Sequence, residues 1–543
     1  MPTVAQIFAR TLKEIGVKFV FGVPSGNMID YIEALREEDG IGFILVAQET
    51  TASFMADVCG RLTGVPGVCF ATFGPGATNL STGVGGALLD RSPLIAFTDE
   101  MPDHLLHRTV QMNINHQQLF RSITKYTCRL NKENLRELIF KGAELAAAET
   151  PGSVHLGFPA GIGQETIKRL GEKVNYERLE EKQSSNSNYQ LPVKVEELLL
   201  TSKKPLLAIG LSAVRADVKN LIIALAEKFH VPVVLTPMAK GMFPENHPLY
   251  CGVLFHALSD QVAQTYRKAD LVIGAGYDPV EFNYEDWMPN VPLIHFDRKK
   301  ADVDKSQIHT VINILGELET SLKEFLKIDS EKKDWDLSVL QNRKDELFQK
   351  LKPVPNSFGP LAVVEELRNI LPDDGILTVD VGAHLHLIGQ MWRTPEPQKL
   401  LMTNGWSSMG FAIPAALAAK LCHPKLPVAA IMGDGGFLMM VGELATAKRL
   451  NLNIVFIVIV DNSLSLIRIK QEKKDYDNHY GTELRSITNE PTNHYFGVPV
   501  IRATNTETYE SALKKAFFLD GPVVIEAVVD GSEYDELLLK SNK

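Results

Sequence analysis

The stretch from Val428 to Ser465, VAAIMGDGGFLMMVGELATAKRLNLNIVFIVIVDNSLS, constrains the fold more than any other. An apolar run, Val428 to Met432, stops at Gly433-Asp434-Gly435-Gly436. A helical pattern from Phe437 to about Leu450 follows, and a second apolar run, Ile454 to Val460, ends at Asp461-Asn462. Strand, turn, helix, strand is a βαβ unit, and strands without polar alternation belong to a parallel sheet covered on both faces. Asp434 and Asp461 then leave the carboxyl ends of neighbouring strands, where open α/β sheets bind ligands. Glycines let the backbone approach a phosphate closely. Paired carboxylates hold a hard divalent cation, which bridges phosphate oxygens. A GDGG turn alone is a tight strand exit; with an acid and an amide at the end of the next strand, it predicts a diphosphate–magnesium site.

The 543 residues suffice for about two to four domains. A net charge of −10 offers no basic surface for nucleic acid. Cys59, Cys69, Cys128, Cys251 and Cys422 show no CxxC spacing, the pattern of buried thiols in a reducing compartment. The N-terminal MPTVAQIFARTLKEIG reads as an amphipathic helix and lacks the apolar core of a signal peptide. No apolar run approaches a membrane span. A cytoplasmic enzyme without nucleic-acid or membrane partners is expected.

Two segments read as linkers: the polar 180–190, EEKQSSNSNYQ, and the charged 328–357, which starts as a helix and is interrupted at Pro353 and Pro355. They leave blocks at 1–168, 190–328 and 357–530. Each alternates apolar runs with helical patterns, so three doubly wound parallel-sheet α/β domains are expected. The expected strands are FVFGVP, FILVAQE, VCFATFGPG, PLIAFTDE and VHLGFP; then PLLAIG, VPVVLTP, DLVIGAGYDP and PLIHFD; then ILTVDVG, VAAIMGDGG, NIVFIVIVDN and PVVIEAVVD. The middle block lacks a GxGxxG fingerprint, so it reads as a structural domain rather than a dinucleotide site.

Glu49, in FILVAQETTASFMADVCGRLTG, is in isolation a helix-start acid favoured by the dipole. The whole segment, however, resembles the HE-xx-A-x-xMA-x-x-x-RLTG pattern of thiamine diphosphate-dependent enzymes, and Val428–Ser465 resembles that superfamily's diphosphate motif. Other segments fit in family order. Gly22-Val23-Pro24, with Gly26 beyond, resembles GVPG; Phe73-Gly74-Pro75-Gly76-Ala77-Thr78-Asn79 resembles SGPGATN; Asn404 to Phe411, NGWSSMGF, resembles GGLGTMGF. The resemblance spans nearly the whole chain and is closest to acetolactate synthases of the catabolic type, through GAGYDPVEFNYEDW, RTVQMNINHQQLFRSITKYT and PEPQKLLMTNGWSSMGF.

The resemblance implies pyrimidine-binding, middle and diphosphate-binding domains. It implies that Glu49 hydrogen-bonds the cofactor's pyrimidine ring, as a carboxyl suited to pass a proton, with Gln111 facing the reacting centre and Met409 wedged beneath the cofactor. Gly26, Phe73 and Asn79 would contact the cofactor at one end. Gly382-Ala383-His384, Ser407, Gly433, Gly435, Gly436, Ser463, Leu464 and Ser465 would hold the other. Magnesium would sit on Asp434, Asp461 and the Ser463 carbonyl, with Asn462 as the alternative side-chain ligand. No flavin (FAD) loop is evident. Active sites would lie between subunits of a homodimer or homotetramer.

The implied reaction is decarboxylation of a 2-oxo acid such as pyruvate, followed by ligation to a second carbonyl compound to give 2-acetolactate. The alternative is a decarboxylase or C–C lyase releasing an aldehyde. A non-catalytic relative on the same fold would not need Glu49, Asp434 and Met409 together. The adjacent histidine pair of pyruvate-type decarboxylases is absent: His104, His107 and His116 are separated. Gln48, Ser25, Phe73 and Asn27 depart from the family pattern where substrate would sit.

Overall fold

The computed structural model describes residues 1–167, 190–476, 478–484 and 491–538. The polar 180–190 segment lies outside these residues except for Gln190. The N-terminal amphipathic pattern forms the helix Val4–Ile15, with Thr3 and Gln6 in a reciprocal capping box and Gly16 closing its C-terminus in the left-handed region.

The apolar runs assemble into three sheets, giving the expected three α/β units. The first runs Gly42–Leu45, Phe19–Gly22, Gly67–Ala71, Leu94–Glu100, Ser153–Pro159, Tyr126–Arg129, all parallel. The second runs Val311–Leu315, Leu293–Asp297, Leu271–Ala275, Pro205–Ile209, Val233–Leu235, Tyr250–Val253, again all parallel. The third runs Leu400–Leu401, Ile376–Val379, Val428–Gly433, Val455–Val460, Val523–Val528, Val498–Ala503, ending in the antiparallel His494–Tyr495. Central strands such as Val455–Val460 are buried at every position, which is why their sequence shows no alternation.

Strand order places the sites. In the first sheet the chain reverses direction between Phe19–Gly22 and Gly67–Ala71; in the third it reverses between Ile376–Val379 and Val428–Gly433. Such switch points open a crevice at the carboxyl ends of the strands.

Two local expectations are corrected. The glycines of Gly433-Asp434-Gly435-Gly436 do not form a separate turn: the strand ends at Gly433, and the helix Asp434–Met440 begins at once. It breaks at the 3₁₀ turn Val441–Glu443 before resuming as Leu444–Arg449. In the 328–357 segment the helix is Leu337–Lys350, starting where the Asp336 carboxylate accepts the Ser338 and Val339 amides.

The first and third units pack through the helices Glu49–Thr63 and Ala412–Cys422. Arg61 crosses this contact: it pairs with Asp57 at 2.7 Å and Asp90 at 2.9 Å and donates to the Met402 carbonyl. Asp90 also accepts the Asn404 and Gly405 amides. No helix among the described residues is long and apolar enough to cross a membrane.

Candidate active site

At the switch point of the third sheet lies a cleft of about 200 Å³. Gly382, Ala383 and His384 border it from the strand beside Gly433, Asp434, Gly435 and Gly436. Asp461, Ser463, Leu464 and Ser465 leave the next strand and close another side, and Ser407 and Met409 reach in from the 404–411 segment. Thus every residue of the third block assigned to cofactor or metal lines one cleft, except the alternative ligand Asn462. Val381, Ile459, Leu466, Ile467 and Tyr534 also line it and were not anticipated.

The acids are held by backbone. Asp434 accepts the Gly435 amide at 2.9 Å and the Asn462 amide at 2.8 Å, which ties the two strand ends together. Asp461 accepts the Ser463 amide at 3.2 Å and the Ser465 hydroxyl. Burial, then the charge of Asp461, pushes Asp434 up to about 7, against the amides of Asn462 and Gly435. Burial likewise raises Asp461, against the Ser465 hydroxyl. Two neighbouring buried carboxyls, both with raised proton affinity, suit a divalent cation, which inverts that balance by favouring both charges.

The remaining lining fits a phosphate group. A Cβ on Gly435 would lie 2.6 Å from Leu464 Cδ2, and one on Gly436 2.8 Å from Asp380 Oδ2. At 436 only glycine fits, because backbone amides hold the Asp380 carboxylate, whereas at 435 the flexible end of Leu464 could give way. His384 is 4% exposed, and its Nε2 has no hydrogen-bond partner among the described residues. Burial lowers it to about 4, so the ring is neutral. Asp380, missed by sequence reasoning, fixes Met409's segment by accepting the Gly410 amide at 2.8 Å. Its partners lie far away along the chain, so no local pattern reveals it.

The first block's assigned residues line no part of this cleft. They gather at the carboxyl ends of the first sheet instead. Glu49 opens the helix Glu49–Thr63, and Asn79 Nδ2 donates to its Oε2 at 3.0 Å. Gly26 follows the strand Phe19–Gly22, and Phe73 follows Gly67–Ala71. Gln111 is exposed on a loop whose next residue, Met112, packs on Gly74: a Cβ there would lie 2.7 Å from the Met112 oxygen. Glu443 was also missed. It accepts the Ala47 amide at 2.9 Å and the Gln48 amide at 3.2 Å, joining the approach to Glu49 to the third unit.

Comparison with known proteins identifies the three units. Residues 2–119 match the family described as thiamine pyrophosphate enzyme, N-terminal TPP binding domain. Residues 193–325 match its central domain and 380–527 its C-terminal TPP binding domain. The chain is 28% identical to the acetolactate synthase of Bacillus subtilis, over 99% of this chain and 95% of the relative. It is 29% identical to that of Arthrospira platensis, over 96% and 93%. It is 28% identical to a probable acetolactate synthase large subunit of Methanocaldococcus jannaschii, over 97% and 92%.

Proposed function

Since the chain belongs to the thiamine pyrophosphate enzymes, we propose that it is a magnesium-dependent carboligase that decarboxylates a 2-oxo acid such as pyruvate and joins the remainder to a second carbonyl compound, giving 2-acetolactate. The observation that carries this reading is the third-sheet cleft, where two neighbouring buried acids face a glycine-lined strand exit and a neutral histidine whose Nε2 has no partner among the described residues. When bound, thiamine diphosphate supplies a thiazolium, an electron sink for the carbanion left when carbon dioxide departs.

The chain's own residues bind and orient. Asp434, Asp461 and the Ser463 carbonyl would hold magnesium, and Gly382, Ala383, His384 and the glycine-lined start of the Asp434–Met440 helix would border the diphosphate. Met409 supports the cofactor from below, with Ser407 alongside. At the other end Glu49, oriented by Asn79, would hold a proton on its carboxyl for the pyrimidine, Gly26 would contact the cofactor, and Phe73 and Gln111 would face the reacting centre. Phe73 and Met409 make the pocket apolar and exclude water, which favours carbon–carbon bond formation over protonation.

The alternative is a decarboxylase or lyase that releases an aldehyde. Phe73 in place of a small residue favours it by narrowing the acceptor's space. Incubation with thiamine diphosphate, magnesium and pyruvate, followed by chromatography, decides between them. Acetolactate or acetoin is expected; acetaldehyde as the main product supports the alternative, and no turnover of any 2-oxo acid overturns both.

No flavin is needed in this reading. Tyr277 and Tyr284 of the GYDPVEF region stack at 3.9 Å, and Asp278 pairs with Arg91 at 2.6 Å. That region is filled by the chain's own side chains.

A further inference from the structure

Behind the Phe73–Gly76 turn lies a buried cluster, Glu100, His116 and His155, whose ligand atoms are within 4.8 Å of one another. It resembles a metal site, but both nitrogens of each ring are already in hydrogen bonds. The Gly74 amide donates to His116 Nε2 at 3.2 Å. Thr98 Oγ1 lies 2.8 Å from His116 Nδ1 and 2.8 Å from His155 Nε2. Thr127 Oγ1 lies 2.7 Å from His155 Nδ1 and donates to Gln117 Oε1 at 2.7 Å. Gln117 Nε2 donates to Glu100 Oε1, and Arg129 donates to Glu100 Oε2 at 2.6 Å.

One fact orients the whole chain of bonds: a backbone amide can only donate. His116 Nε2 therefore carries no proton, so in the neutral ring Nδ1 carries it and donates to Thr98. The single Thr98 proton goes to His155 Nε2. His155 Nδ1 then donates to Thr127, whose proton goes to Gln117. Each proton is used once, and the relay ends on the Glu100–Arg129 ion pair. Phe120 stacks on His155 at 4.1 Å, fixing that ring. His116 and His155 are 2% and 0% exposed. Burial, then Arg129, holds His116 down to about 4, and burial, then His116, holds His155 well below its usual value. Both rings are neutral in the physiological range, as the bond directions require.

We infer that His116 is a positioning residue: by accepting the Gly74 amide proton it sets the Phe73–Gly76 turn, and the relay through His155 keeps its ring in the one tautomer that can do so. The inference rests on the proposed function, in which that turn borders the reacting centre. Gly74 has φ +66° and packs against the Met112 backbone. Two residues on, a Cβ on Gly76 would lie 3.4 Å from Glu49 Oε1, and Asn79 of the same helix holds Oε2. The turn's placement therefore sets both the Phe73 side chain and the direction of the Glu49 carboxylate.

Two variants separate the halves of the ring. His116→Gln puts an acceptor where Nε2 was and keeps the Gly74 bond. His116→Asn puts a donor where Nδ1 was and keeps only the Thr98 bond. In His116→Asn, hydrogen exchange at the bound cofactor's thiazolium carbon and kcat should fall roughly 10–100-fold, with KM and cofactor affinity nearly unchanged. His116→Gln should recover most of the loss. Equal losses in both variants, or a lowered Tm with an unaltered exchange rate in His116→Asn, overturn the inference. Nitrogen-15 NMR of the histidine rings in the wild-type protein at neutral pH is a second arm needing neither variant nor cofactor. It should show His116 and His155 neutral and protonated at Nδ1; an Nε2-protonated or charged His116 overturns the inference by itself. Wild-type protein that binds no thiamine diphosphate, with the tautomers as expected, refutes the function and this catalytic role while leaving the relay in place.

Discussion

Asp434 carries opposing demands. It is 1% exposed and repelled by Asp461, yet it must be charged to hold a cation. Removing its carboxylate should leave the diphosphate without a bridging ion. Asp434→Ala is expected to lose magnesium-dependent retention of thiamine diphosphate, measured by calorimetric titration; wild-type affinity would refute the metal assignment. Glu49→Gln keeps size and the Asn79 contact but cannot relay a proton. Its thiazolium exchange rate should fall by about 10²–10⁴-fold with the fold intact, as followed by NMR on the bound cofactor. These residues were legible because each sits in a run of recognisable neighbours. Asp380 and Tyr534 were not, because their contacts lie far away in sequence. Glu281 is a third case. One oxygen accepts the Met238 amide at 2.7 Å, the other has no partner among the described residues, and burial pushes the group up to about 8. A raised carboxyl favours the fold below its unfolded value, near 4.5, and loses that contribution as pH rises through about 8. Glu281→Gln should keep the amide bond and flatten the decline of Tm between roughly pH 5 and pH 9, read by scanning calorimetry. An unchanged slope would show that another group causes it.

At the scale of elements, legibility followed burial. All thirteen segments read as strands contain one: twelve are interior strands, which are continuous apolar runs, and the thirteenth, Gly42–Leu45, is an edge strand whose FILVA run is apolar all the same. The strands missed at sheet edges were Tyr126–Arg129, Tyr250–Val253, Val311–Leu315, Leu400–Leu401 and His494–Tyr495. Tyr126–Arg129 is half-buried throughout, so it has neither a continuous apolar run nor a clean alternation. Val498–Ala503 was missed for a related reason: Pro499 and Arg502 interrupt its pattern. The helix after the GDGG motif was expected three residues late because Gly435 and Gly436 read as a turn; in the fold they are its first turn. Arg61 shows what joins elements across units. Its side chain is 10% exposed, and it serves Asp57, Asp90 and the Met402 carbonyl at once. Arg61→Leu would strand two buried carboxylates and should cost roughly 3–5 kcal/mol, seen as a lowered Tm. A loss below about 1 kcal/mol would mean that the network behaves as a surface pair.

At the scale of the whole molecule, one cofactor needs two places. The diphosphate cleft is lined only by residues from 381 onward, whereas Glu49 and Asn79 belong to the first unit. Around the cleft, Leu438, Met439 and Ile467 are 41%, 58% and 45% exposed; in the first unit, Ile29, Met112 and Ile114 are 63%, 38% and 41% exposed. In the proposed function these exposed apolar side chains would be covered by a second copy of the chain. A second copy, turned so that its first unit faces this cleft, would bury them and bring Glu49 to the cofactor's pyrimidine end. A two-fold arrangement would complete two sites at once. Local patterns name the residues of each half-site; that these come from different chains is implied by the family resemblance alone, because it depends on a surface and not on a local pattern. Complementation reads it directly. Glu49→Gln and Asp434→Ala proteins are each expected to be inactive. Mixed under conditions that exchange subunits, they should form some dimers in which one site has both residues intact, and activity should return to as much as about a quarter of the wild-type level if exchange is statistical. Exchange demonstrated by mass, with no activity regained, would place both half-sites in one chain.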